Sequence, residues 1–292
     1  MSDRITFDNA YVRRVDGARR PVAGWVALPL ALATVVFSLT LGVRPYDLLG
    51  AGLSPALGRA VLYVGVEGPL YLVAGLLLAY QARARAPANA SALMQLAVGL
   101  GLGFAGFTLA VGLSALVGAV GPGTGPSFTF NQKLIGAALG CGLVGFQALG
   151  EEVFFRGWLQ PILAARWGPT VGLVAASITF AVAHGLFRPI GPVALVNDTL
   201  AGLAFGLLAL RSGGVIAPFA AHFAWNWAEQ SIAGLTPNPG VDELGSLFNI
   251  DLVGGPLLSG GADELNGALA ASVALLALVA AAFFWRPGRR AS

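Results

Sequence analysis

Only two histidines occur in the 292 residues, His184 and His222, and each stands in a helically spaced pattern within apolar sequence. Upstream of both lies Glu151-Glu152-Val153-Phe154-Phe155-Arg156, a pair of acids with an arginine four residues on. Phe180-Ala181-Val182-Ala183-His184 and His222-Phe223-Ala224-Trp225-Asn226 follow. Residues four apart share a helix face. Glu152 can therefore pair with Arg156, Phe180 lies one turn from His184, and His222 and Asn226 address one point in space. Glu151 is five residues from Arg156 and points elsewhere, which leaves it free to act as a base. Two adjacent carboxylates in low dielectric also resist being ionised together. A carboxylate, two imidazoles and an amide are the groups that activate water and hold a tetrahedral oxyanion.

Taken singly, each pattern has a plainer explanation. Glu152 and Arg156 suit a solvated helix end, His184 suits a hydrogen-bonded packing residue, and Asn226 suits a polar contact between helices. Their joint occurrence favours chemistry, because ionisable groups at membrane depth are costly and mark function by default. Three further acids fall in apolar stretches. Asp198 either lines the same cavity or pairs with Arg188, a structural role being the simpler. Glu229, one turn beyond Asn226, is placed to support it. Glu67 stands alone in its stretch, protonated or paired with Arg59. Trp158, Trp225 and Trp227 suit a hydrophobic entrance or an interfacial aromatic belt equally. Cys141 has no partner cysteine and is expected to be a small buried apolar residue.

The elements that must carry these residues are set by composition. The chain is 56% hydrophobic and 11% charged, whereas soluble domains carry about a quarter charged residues. Its mean hydropathy is +0.76. Forty-one glycines suit membrane interfaces, where small residues let helix backbones approach. About 20 apolar residues span a bilayer core. Eight candidate spans result, near 22–43, 60–80, 93–120, 133–150, 169–187, 192–210, 214–234 and 266–285. The fourth is short, so its helix is expected to continue through Glu151, with the acids at its inner end and His184 toward the outer end of the next span. The fold class is therefore all-α: a polytopic helix bundle with about eight transmembrane helices and an active-site cavity inside it. Pro/Gly-rich 121–126 and 236–240 read as loops.

Lysine and arginine set the orientation. With the N-terminus cytoplasmic, twelve fall inside and four outside, Arg156 being set aside. Both termini are thus expected in the cytoplasm, with the protein in the plasma (inner) membrane. Residues 1–20 read as a basic arm near anionic headgroups, with no cleaved signal, and 21–292 as one transmembrane domain whose motif-bearing core covers about 133–230. The net charge of +3 comes from bases scattered between apolar spans, which excludes nucleic acid as a partner.

The order and spacing Glu-Glu-x-x-x-Arg, Phe-x-x-x-His, His-x-x-x-Asn on successive membrane helices resembles the CAAX-protease and bacteriocin-processing (CPBP) family of intramembrane endopeptidases, which includes the Ras-converting enzymes. The resemblance covers about 133–230, and the spacing of Gly202 and Gly206 with the turn Arg211-Ser212-Gly213-Gly214 fits it. It implies that Glu151 and His184 activate the attacking water and that His222 and Asn226 stabilise the oxyanion. It also implies that Glu152 with Arg156 holds the motif helix. The substrate would be a hydrophobic peptide or a membrane-anchored or lipidated protein. An older reading of the family makes Glu151, His184 and His222 zinc ligands; two histidines and one carboxylate can hold a catalytic zinc. The His-Glu-x-x-His helix signature is missing, so metal-free glutamate chemistry is favoured and no cofactor is expected. The alternatives are a non-catalytic scaffold or bacteriocin self-immunity protein of the same fold, and a small transporter, which the absence of an inverted repeat disfavours.

Overall fold

The structure, a computed structural model, describes residues 11–12, 22–49, 52–81, 91–187, 189–235 and 244–286. Among these, seven helical stretches are long and apolar enough to cross a membrane. The protein is an all-α polytopic membrane bundle. Helix α1 (Gly24–Gly42) leads through the short α2 (Arg44–Leu49) to α3 (Pro55–Gln81), which returns beside α1. Next comes α4 (Ala92–Leu116), capped by the Ser91 hydroxyl on the Met94 amide. Helix α5 (Phe130–Glu152) starts at a reciprocal capping box between Thr129 and Gln132, which satisfies two of its orphan amides.

From α5 the chain stays helical through a π-helical stretch, Val153–Leu159, into α6 (Gln160–Trp167). The whole run Phe130–Trp167 is 38 residues long, nearly twice the roughly 20 that span a bilayer core. Glu151 therefore lies near its middle, not at an inner end. Gly168, with φ 89°, turns the chain into α7 (Pro169–Phe187). Glu151 and His184 then stand at nearly equal distances along the chain from that turn, so two antiparallel helices bring them to one level. The expectation of an inner Glu151 and an outer His184 is corrected in this way.

Helix α8 (Pro192–Ser212) ends at Gly213 in the left-handed region, and α9 (Ile216–Trp227) follows. The seventh expected span, 214–234, differs from the others. Its α-helical part is 12 residues long before the backbone winds into a π-helical stretch, Ala228–Ala233. It carries His222, Asn226, Glu229 and Gln230 and is held between α4, α5 and α8, so protein rather than lipid faces its polar side. Glycines make this possible. A Cβ on Gly99 would lie 2.6 Å from the Ala220 Cβ, and one on Gly103 would lie 2.8 Å from the Ala224 Cβ.

The loop expected at 121–126 begins as a strand. Val120–Pro122 (β1) pairs antiparallel with Ile250–Leu252 (β2), and the Thr124 amide and hydroxyl donate to Asp251 at 2.8 Å. Helix α10 (Pro256–Ser259) and a 3-10 stretch, Gly261–Gly267, then lead into α11 (Leu269–Phe284). The loop expected at 236–240 and most of the basic arm at 1–20 lie outside the described residues. Tyr11 and Val12 are buried against the bundle, the Tyr11 hydroxyl donating to the Arg156 carbonyl oxygen. Cys141 is exposed on α5, so its expected burial is corrected.

Candidate active site

Arg156 organises the centre of the bundle. In the π-helical stretch an extra residue per turn shifts the register of side chains, and Phe154, Phe155, Arg156, Trp158 and Leu159 are all buried. Arg156 is 1% exposed. Its guanidinium donates to Glu152 Oε1 at 2.9 Å and to the Gly202 carbonyl at 3.2 Å, and lies 4.4 Å from the Phe180 ring centroid. Gly202 is small because α8 meets α7 there: a Cβ would stand 2.9 Å from the Ser177 Cα. One turn on, the arrangement repeats, with Gln160 donating to the Gly206 carbonyl at 3.0 Å.

Glu152 is fully buried, and the same Oε1 that accepts from Arg156 lies 3.0 Å from His222 Nδ1. The acid thus ties α5 to α9 as well as to its own helix. The His222 ring stacks on Phe205 at 4.9 Å between centroids. A carboxylate only accepts, so Nδ1 carries hydrogen and Nε2 is turned the other way, 4.0 Å from Glu151 Oε2. Glu151 is buried, and its Oε1 accepts from Gln147 Nε2 at 3.0 Å. Its Oε2 is buried with no hydrogen-bond partner among the described residues. His184 Nδ1 donates to the Phe180 carbonyl at 2.9 Å, which leaves Nε2 as an acceptor in the neutral ring.

Two chambers meet at these side chains. The first is apolar, walled by Val35 and Leu39 of α1 and by Leu62, Val66 and Leu70 of α3, with Glu67, Gln147, Glu151 and His184 on its lining. The second is polar and is lined by Asn197, Asp198, His222, Asn226, Glu229 and Asn266 among others. Gln147 and His184 line both. The segment before α11 closes the polar chamber. Asn197 donates to the carbonyls of Asn266 and Ala268 at 2.7 and 3.2 Å, and the Gly191 amide donates to Asp263 at 2.7 Å.

Residues 132–228 match the family Type II CAAX prenyl endopeptidase Rce1-like. The chain is similar to that family over this segment. The matched segment, about a third of the chain, runs from the start of α5 to the end of α9 and holds all six candidate residues. No curated protein and no solved structure matches the chain.

Within the matched segment, Arg156, Glu152, His222 and Glu151 follow one another at 2.9, 3.0 and 4.0 Å, and His184 joins them by lining one chamber with Glu151 and the other with His222. Asn226 joins it by lining the polar chamber beside His222, half-buried and without a hydrogen-bond partner among the described residues. Asp198 and Glu229 line that chamber too, whereas Arg188 lies outside the described residues. Glu67 forms no ion pair with Arg59 among the described residues; it faces the apolar chamber instead. Trp158 is fully buried beside Phe154, Trp225 packs edge-on to Phe107, and Trp227 donates to the Ala137 carbonyl. Trp225 also lines the polar chamber. As for zinc, no group of three or more His, Cys, Asp or Glu among the described residues is arranged to hold a metal ion.

Sequence reasoning missed Gln147, which stands four residues before Glu151 in an apolar helix; that spacing was the available signal. It also missed the bond from Glu152 to His222 and the stacking of Phe205, which depend on separate helices meeting.

Proposed function

We propose that the protein hydrolyses a peptide bond of a hydrophobic, membrane-anchored or lipidated substrate, using water activated by Glu151 and His184. The observation that carries this reading is that the reactive side chains stand where an apolar chamber meets a polar one. A hydrophobic peptide can approach from the apolar side and water from the polar side. Glu151 Oε2, buried without a hydrogen-bond partner, takes a proton from water while Gln147 fixes the other oxygen. His184, anchored through Nδ1, offers Nε2 to the same water. Hydroxide adds to the carbonyl carbon, and the proton passes to the leaving nitrogen as the C–N bond breaks.

The tetrahedral oxyanion needs donors. Asn226 supplies an amide. With Nδ1 already turned to Glu152, His222 offers a second donor at Nε2 when its ring is protonated, and it then completes a charge-neutral set with Glu151, Glu152 and Arg156. Glu152 and Arg156 act through His222 and are positioning residues. The test is cleavage of a quenched hydrophobic peptide library by purified protein, with Glu151→Gln and His184→Ala beside wild type, and with and without a chelator. Turnover that is lost in both variants and indifferent to the chelator supports the glutamate reading. Loss with the chelator and rescue by zinc would replace it by a metal mechanism. Wild type as inactive as both variants would favour the scaffold alternative.

A further inference from the structure

Glu67 is used by nothing described so far. It lies on α3, 4% exposed, and its Oε2 is buried with no hydrogen-bond partner among the described residues. It packs against the motif helix just before the catalytic acid: a Cβ on Gly150 would lie 2.8 Å from Glu67 Oε2 and 2.9 Å from the Tyr71 ring. Gly150 thus lets the carboxyl and the Tyr71 ring approach the motif helix closely. Tyr71 does not answer Glu67, because its hydroxyl donates to the Phe146 carbonyl at 2.6 Å. Glu67 and Glu151 are the two carboxyl groups of a mainly apolar chamber whose other polar lining residues are Tyr63, Gln147 and His184, and no lysine or arginine lines it.

An unanswered carboxyl in an apolar wall is costly unless something brings a donor to it. A bound substrate is that something. We propose that Glu67 is a specificity-determining residue that receives a basic side chain of the substrate, so that the preferred substrate is a hydrophobic peptide segment carrying one lysine or arginine near the scissile bond. The inference rests on the protease reading above for the site, though not for the binding it predicts. Low dielectric strengthens the attraction between the two charges, and a single neutral residue in the same place leaves the carboxyl unanswered.

The experiment uses the full chain in detergent micelles and matched hydrophobic peptides in which lysine or its neutral counterpart norleucine is scanned through each position around the cleaved bond. Wild type is expected to show one position where lysine raises kcat/KM roughly tenfold or more over norleucine, with the ratio falling toward one in Glu67→Gln. Binding of the same fluorescent peptides to Glu151→Gln, with and without Glu67→Gln, should show the same preference without turnover. Three results overturn the inference: no position favouring lysine in wild type, a preference that survives Glu67→Gln, or lysine and norleucine peptides losing rate in parallel in that variant. Cleavage without lysine preference defeats this inference alone. Lysine-selective binding without any cleavage defeats the protease reading and leaves Glu67 as the recognition site.

Discussion

Replacing Arg156 with Met removes the cation at the centre of the bundle and keeps most of the side-chain volume. Arg156 is 1% exposed and donates to Glu152 at 2.9 Å and to the Gly202 carbonyl at 3.2 Å, over the Phe180 ring at 4.4 Å. Removing one member of a buried ion pair costs about 3–5 kcal/mol, because the remaining charge is stranded. The orphaned Gly202 carbonyl costs about 1–3 kcal/mol more, and the lost cation–π contact about 2. These terms overlap, and His222 still contacts Glu152, so the expected net loss is about 4 kcal/mol. Glu152→Gln in the Arg156→Met background should restore part of it, since the stranded charge is then gone. Arg156→Lys should recover less than half, lacking the planar fork that reaches two acceptors while stacking on a ring. Reversible unfolding in mixed detergent micelles, followed by tryptophan fluorescence and circular dichroism, gives these numbers as a double-mutant cycle. A loss below about 1 kcal/mol for Arg156→Met, or no coupling with Glu152, would refute the claim that this pair holds the motif helix in the core.

Glu151→Gln should lower kcat by about 10²–10⁴, the range of a general base, while the circular dichroism spectrum stays that of the wild type. Asn226→Ala should lower kcat by about 10²–10³ with little change in KM, as loss of an oxyanion donor does; an effect confined to KM would move Asn226 to substrate binding. Gly103→Val places a branched side chain where a Cβ would already be 2.8 Å from the Ala224 Cβ. It should destabilise the protein by about 1–3 kcal/mol and reduce turnover by displacing His222. Gly112→Val on the same helix, where a Cβ would meet nothing within 4 Å, should leave melting temperature and turnover close to wild type.

The membrane class was legible in composition alone, because lipid forces long apolar helices whatever their neighbours are. The six candidate residues were legible because ionisable and amide groups are rare in such helices and helical spacing places them on shared faces. Their depth was not legible. An apolar helix that runs on through polar residues into Trp167 looks, by hydropathy, like a span that ends near Gly150, and only the turn at Gly168 brings Glu151 level with His184. The same holds for α9, whose polar residues make it a poor span by hydropathy and which is stable inside because α4, α5 and α8 replace lipid around it. Pairing within one helix, as between Glu152 and Arg156, follows from a period of 3.6 residues. The reach of Glu152 to His222, the stacking of Phe205, the burial of Trp158 and the aim of Glu67 depend on which helices touch and at what height. Glycine approaches at 99, 103, 150 and 202 set those contacts, and a sequence shows the small residue without showing what it lets in.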